Sequence, residues 1–234
     1  MIRLVTGLLL FFEATVLFGQ HKGVPNLEDF DKKWIHFGFT LGGNLMDARM
    51  NTDLTSVDSL VSLENPRQPG FHIGIVSELK LRRNMGLRFL PALSFGQRNF
   101  NYIFRRGDLN VAETKVVEST YLEFPLLFKY RSDRDHNFAA YFVGGVKYGA
   151  DLSSREDINN NVPPPQQFVR LRRHNFMYEI GFGVDFFMDY FKFSPEIKVS
   201  TGFNNVFMDE DTIWERPVDR FQPRMITISF HFEG

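Results

Sequence analysis

The side chains able to do chemistry are few and scattered. Among 234 residues there is no cysteine, which excludes a thiolate metal site, a disulfide framework and a cysteine nucleophile. The histidines are His21, His36, His72, His136, His174 and His231. His36 and His231 fall at inward positions near one end of what read as adjacent strands. Such a pair could hold a metal ion or pass a proton, or simply join an interior hydrogen-bond network. His72, placed near the outer rim, has no serine and aspartate at a recognisable spacing. Asp209-Glu210-Asp211 lacks the spaced ligands of a calcium loop and reads as a solvated acidic turn. Gly42-Gly43 and Gly144-Gly145 open no helix and precede no Gly-Lys-Ser or Gly-Lys-Thr, so they cradle no phosphate; they fit close packing within strands. No catalytic residue, metal site or cofactor is expected, and the chain does not read as an enzyme.

The more informative set is charged and alternating. Glu78, Glu123, Glu179, Asp185 and Glu196 share a face with Lys80, Arg82, Arg88, Arg98, Lys129, Lys147, Lys192 and Lys198. Glycine, alanine and serine fill that face between them, and the opposite face is built from Phe, Leu, Ile and Val. Period-two alternation of this kind is the mark of strands. It predicts eight, over 34–46, 70–82, 85–98, 117–130, 138–149, 176–186, 191–203 and 225–232. The 27 Phe and 18 Gly suit pleated sheets better than helices. Pro91, Pro125 and Pro195 fall inside these runs and predict bulges or weakened ladders, since proline cannot donate to a sheet.

The connections alternate in length. Long ones fall near 51–69, 99–116, 150–175 and 204–224, and short ones near 83–84, 131–137 and 187–190. Outer-membrane barrels show this asymmetry, with short periplasmic turns and long external loops. No apolar run reaches the roughly 18 residues of a membrane helix, so membrane insertion requires a barrel. Alternation alone would also suit a soluble barrel with an apolar cavity. The polar face decides between them. Small residues interleaved with charges of both signs suit the crowded interior of an eight-stranded barrel, where charges must be paired. The expected fold is all-β, an eight-stranded antiparallel up-and-down transmembrane barrel with a filled interior and no wide aqueous pore.

Residues 1–19, with Arg3 ahead of an apolar core, read as a secretory signal peptide. Residues 20–33 form a periplasmic N-terminal segment and 34–234 the outer-membrane barrel. Arg170, Arg172 and Arg173 at the outer rim could pair with lipopolysaccharide phosphates or be a solvated loop end. Trp214 in the last external loop could anchor a partner or pack within its own loop. The formal net charge of -1 gives no electrostatic case for nucleic acid.

Several stretches resemble a known family. NLEDFDKKWIHFGFTLGGNLMD (26–47), PGFHIGIVSELKLRRNMGLRFLPALSFGQRNFNY (69–102), STYLEFPLLFKYRSDR (119–134), SPEIKVSTGFNNVF (194–207) and ISFHFE (228–233) look like the PorT (SprT) family of Bacteroidota. YLEFPLLFKY is shared with the wider group of outer-membrane barrels of that phylum. The opening HFGFT with Asn44-Leu45-Met46-Asp47, together with LRFLPALSFGQR, is more specific. The resemblance implies an integral outer-membrane component required by type IX protein secretion. It would be non-enzymatic, acting through other secretion proteins and embedded in outer-membrane lipid. Barrels of this kind commonly end in an aromatic residue; here Phe232 is followed by Glu233 and Gly234. A small binding barrel or adhesin, a soluble exported carrier and a rim enzyme are the competing readings.

Overall fold

The computed structural model describes residues 26–156, 163, 167–208 and 212–234. The expected signal peptide, His21, most of the Pro-rich stretch 159–167 and Asp209-Glu210-Asp211 lie outside the described residues. The strands are β1 (Ile35–Thr52), β2 (Leu60–Glu64), β3 (Gln68–Arg82), β4 (Met85–Phe89), β5 (Ala92–Arg106), β6 (Leu109–Arg131), β7 (Phe138–Asp151), β8 (His174–Phe187), β9 (Lys192–Gly202) and β10 (Val218–Glu233). All belong to one antiparallel sheet. It closes because β1 pairs with β10 on one side (Leu41↔Phe230) and with β3 on the other (Leu41↔Ile73). β4 and β5 are two halves of one stave, and β2 sits outside the ring. The wall therefore has eight staves, as the alternation predicts.

Two expectations need correction. The strand predicted over 85–98 is broken at Leu90-Pro91. Pro91 has no N–H to give a ladder, although its carbonyl accepts from Ile75 at 2.9 Å. Pro125 lies beside the break, so its missing donor falls where β6 changes partner from β5 to β4, while its other side stays in register with Lys147. Pro195 pairs regularly with Phe230, but the ladder to β8 skips between Glu196 and Phe193. The second correction concerns 99–116. The expected long loop is instead a continuation of β5 and β6 as a hairpin, in register to Arg106↔Leu109. Gly107, at φ 61°, makes its two-residue turn, a conformation glycine adopts without strain. β2 pairs with β5 along this projection, Leu63 opposite Tyr102.

The apolar side chains point outward. Phe37 is 57%, Phe71 58% and Phe182 65% exposed, whereas Arg88 and Lys129 are at most 1% exposed. This inversion of the usual soluble arrangement is what a lipid solvent demands. Glycine is required where staves cross closely. A Cβ on Gly42 would collide with the Ile228 carbonyl oxygen, and one on Gly145 with that of Leu126. Gly43 and Gly144 meet no such obstacle.

Candidate functional site

The described side chains occupy the interior in three layers. At the periplasmic mouth, residues Phe30–Lys32 form a single 3₁₀ turn that folds across the opening. The Phe30 ring stacks on His36 with centroids 3.8 Å apart and meets Phe187 edge-on at 5.9 Å. Asp31 pairs with Arg131 at 2.7 Å. The Asn26 side chain donates to the Phe187 carbonyl at 3.1 Å. The last residues of the expected periplasmic segment are thus a seal on the barrel.

Above this seal lies the charge network. Arg88 reaches Glu78 at 2.6 Å, Glu196 at 3.1 Å and Glu233 at 3.2 Å. Lys129 bridges Asp185 at 2.8 Å and Glu78 at 3.2 Å. Lys192 reaches Glu233 at 3.1 Å and has Asp185 and Glu78 within 4.0 Å. Lys147 joins Glu179 at 2.9 Å and Glu123 at 3.1 Å, and Lys198 lies between Glu196 at 3.3 Å and Glu179 at 3.8 Å. Each of these cations therefore touches two or more carboxylates. Such sharing meets the need of a buried charge for both a counter-ion and hydrogen bonds. Ser194 and Ser200 complete it, donating to Asp185 and Glu179 at 2.6 Å each. Tyr141 lends its ring face to Lys129 at 4.0 Å and to Arg88 at 5.2 Å.

The third layer is an apolar cap beyond the membrane. Phe100, Tyr102 and Phe104 from the hairpin pack on Leu60 and Leu63 of β2, on Val169 and Leu171, and on Phe207, Trp214 and Phe221. The Tyr102 hydroxyl donates to the Trp214 carbonyl at 2.7 Å; burial pushes that phenol well above its usual range. Lys115 lies 4.3 Å over the Trp214 ring, and burial lowers the pKa of its ammonium. The gaps left inside the wall are small. One of about 20 Å³ is bordered by His72, Ser229 and His231, and another of about 10 Å³ by Arg98, Lys147 and Met225. Each is about the size of a single water.

Several residues fall elsewhere than the sequence suggests. Lys80 is half-buried at the periplasmic rim and donates to the Asp31 carbonyl. Arg82 is exposed, because the β3–β4 register shifts between Lys80 and Arg82 and turns it out of the interior. Arg98 is buried but bonds to Ser119 and Tyr121, both at 3.0 Å, instead of to a carboxylate. Arg170 is 6% exposed and its backbone N–H donates to Glu215 at 3.0 Å, so it belongs to the cap and faces no lipid. Arg172 is exposed and Arg173 half-buried. Trp214 is 2% exposed and packs against Tyr102 and Phe104 of the β5–β6 hairpin, which leaves it no surface to offer a partner. His36 and His231 are not a pair, since the register sets His231 opposite Thr40 and His36 stacks on Phe30. His72 lies in the interior, 3.2 Å from Ser229 Oγ, and His231 approaches Glu196 at 3.2 Å. No group of His, Asp and Glu among the described residues could hold a metal ion.

Glu233 escaped the sequence reading, although parity alone would find it. Counting by two from His231 points Glu233 inward, where it meets Arg88 and Lys192. The residue that departs from an aromatic terminus is therefore part of the interior network.

A closed antiparallel wall with lipid-facing aromatics and a neutralised polar interior defines an integral outer-membrane β-barrel. The chain belongs to the outer membrane protein beta-barrel domain family, whose model matches residues 18–208. No curated protein sequence matches it. Among solved structures it is similar to the attachment invasion locus protein Ail of Yersinia pestis, solved in complex with the heparin analogue sucrose octasulfate (9% identity, TM-score 0.41, covering 86% of this chain and 100% of that one). It is also similar to the outer membrane protein OprG of Pseudomonas aeruginosa (14% identity, TM-score 0.43, covering 86% of this chain and 94% of that one).

Proposed function

We propose that this barrel is a PorT-like, non-enzymatic component required for type IX protein secretion, acting through contacts with other secretion proteins. The observation that carries the reading is the sealed interior. Among the described residues, Phe30 below, the Arg88–Lys129–Lys192 network in the middle and the Trp214 cap above leave no route for a solute through the barrel. Its contribution to export must then come from its surfaces. The resemblance of residues 26–47 and 69–102 to PorT supplies the system in which those surfaces act. The test is deletion of the gene in its host, with secretion of cargo bearing the C-terminal signal domain as the readout. Loss of secretion, restored by the wild-type gene, is the expected result; normal secretion rejects the reading.

A second reading is favoured by the β5–β6 hairpin, which carries exposed Arg105, Arg106 and Leu109 at its tip. A small external binding barrel or adhesin would present such a tip to a ligand. Normal secretion combined with loss of surface binding on deletion of 103–112 would select it.

A further inference from the structure

On three consecutive staves the outward-facing residues change from apolar to arginine at adjoining positions. On β1 the outward run Ile35, Phe37, Phe39, Leu41 and Leu45 is followed by Asp47 and then Arg49. On β10 the run Phe232, Phe230, Ile228 and Ile226 is followed by Arg224, Gln222 and Arg220. On β3 the run from Leu81 to Phe71 ends at Pro69, and Arg67 comes next. The flanking staves β5 and β9 step instead to the neutral Gln97 and Thr201.

The height of this change is set by strand geometry. From Ile35 to Leu45, at about 3.3 Å per residue and a tilt of about 40°, the apolar run rises about 25 Å, the full thickness of an outer-membrane apolar band. Asp47, Arg49, Arg67, Arg220 and Arg224 therefore stand at headgroup level on the side of the long loops. They face away from the barrel, directly above Leu45, Ile226 and Phe71.

Their arrangement is ordered. Asp47 is directly opposite Arg224 and accepts from its Nε at 2.9 Å and from an η nitrogen at 2.7 Å. From the other side it accepts from Arg67 Nε at 2.8 Å. One carboxylate thus orients two guanidinium groups in a row while their side chains stay 56% and 42% exposed. Arg49 and Arg220 are exposed beside them, without an ion pair among the described residues. Four guanidinium groups against one carboxylate leave a concentrated positive charge on one sector of the wall.

We propose that Arg49, Arg67, Arg220 and Arg224 form a site for the phosphate of a phosphorylated glycolipid of the outer leaflet, the lipid A type. Planar guanidinium forks match phosphate oxygens in pairs. The apolar wall immediately below them fits the acyl chains of the same molecule, which free phosphate would not use. Such a site would hold the barrel in one orientation towards its lipid, with the β1–β3–β10 sector against the glycolipid.

The test uses the full chain purified in detergent, with bound lipid A counted by native mass spectrometry. Folding is checked by heat-modifiable gel migration. Wild type should retain lipid A, and Arg67→Gln with Arg224→Gln should weaken retention about tenfold. Arg49→Gln with Arg220→Gln breaks no ion pair, folds normally, and should weaken it several-fold; it decides alone if the first pair fails to fold. Arg105→Gln with Arg106→Gln at the hairpin tip should change nothing. Dephosphorylated lipid A should bind no better to wild type than lipid A does to the variants. Unchanged retention by folded Arg49→Gln with Arg220→Gln would overturn the proposal. So would equal binding of dephosphorylated lipid A, or equal competition by phosphatidylglycerol.

Discussion

Arg88 and Glu78 stand directly opposite one another across the β3–β4 pair, and two guanidinium N–H groups converge on a single carboxylate oxygen at 2.6 and 3.0 Å. The same guanidinium extends to Glu196 on β9 and Glu233 on β10. One side chain thus ties staves from opposite sides of the ring through the barrel centre.

Removing that cation should be costly, because it takes one of the counter-ions from three buried carboxylates and leaves more acid than base at the barrel centre. Arg88→Met is expected to destabilise the barrel by about 3–5 kcal/mol, read as a lowered urea midpoint for unfolding from detergent or lipid. Arg88→Lys should recover only part of this, since an ammonium lacks the planar fork that sets two N–H groups on Glu78 while reaching Glu196 and Glu233. A variant within about 1 kcal/mol of wild type would mean that the network carries little of the stability, as exposed pairs do.

The lipid-facing assignment is open to a direct challenge. Ile75 pairs with Phe39, near the middle of the apolar band. Ile75→Arg should cost about 2–4 kcal/mol in folding into vesicles, while Thr114→Arg on the projecting hairpin should be close to neutral. Equal effects at the two positions would place Ile75 outside hydrocarbon.

Trp214 separates a packing role from a binding role. As a buried member of the cap, Trp214→Ala should cost about 3–5 kcal/mol, with the loss appearing as protease sensitivity of the hairpin and the last external loop. A partner anchor would leave the isolated barrel unchanged. An unaltered cleavage pattern would therefore sink the assignment to the cap.

The periplasmic seal should open without unfolding the wall. Phe30→Ala removes the stack on His36 and the edge contact with Phe187. Proteolysis from the periplasmic side should then cut within 26–33 at a faster rate, while heat-modifiable migration stays that of wild type. Resistance equal to wild type would show that Asn26 and Asp31 hold the segment without the ring.

Alternation alone determined the wall. Ile35 to Leu45 against His36 to Asn44, and the equivalent runs on seven other staves, assign faces because a strand repeats every two residues whatever its partners are. Mixed charges among glycines on the inward face then pointed to lipid outside. Parity also puts Arg88, Lys129, Lys147, Glu179, Asp185 and Glu196 on the inward face, where they are buried. It could not say that Arg88 would meet Glu196 and Glu233, because that contact depends on how closure of the ring brings distant staves together. The same limit explains the cap. Phe100, Tyr102 and Phe104 alternate as plainly as any lipid-facing run, yet what buries them is Phe207, Trp214 and Phe221, more than a hundred residues along the chain. Arg82 and Arg170 were misplaced for a related reason: a register shift at a turn and a return of loop chain onto the barrel mouth are tertiary events, with no local periodicity to announce them.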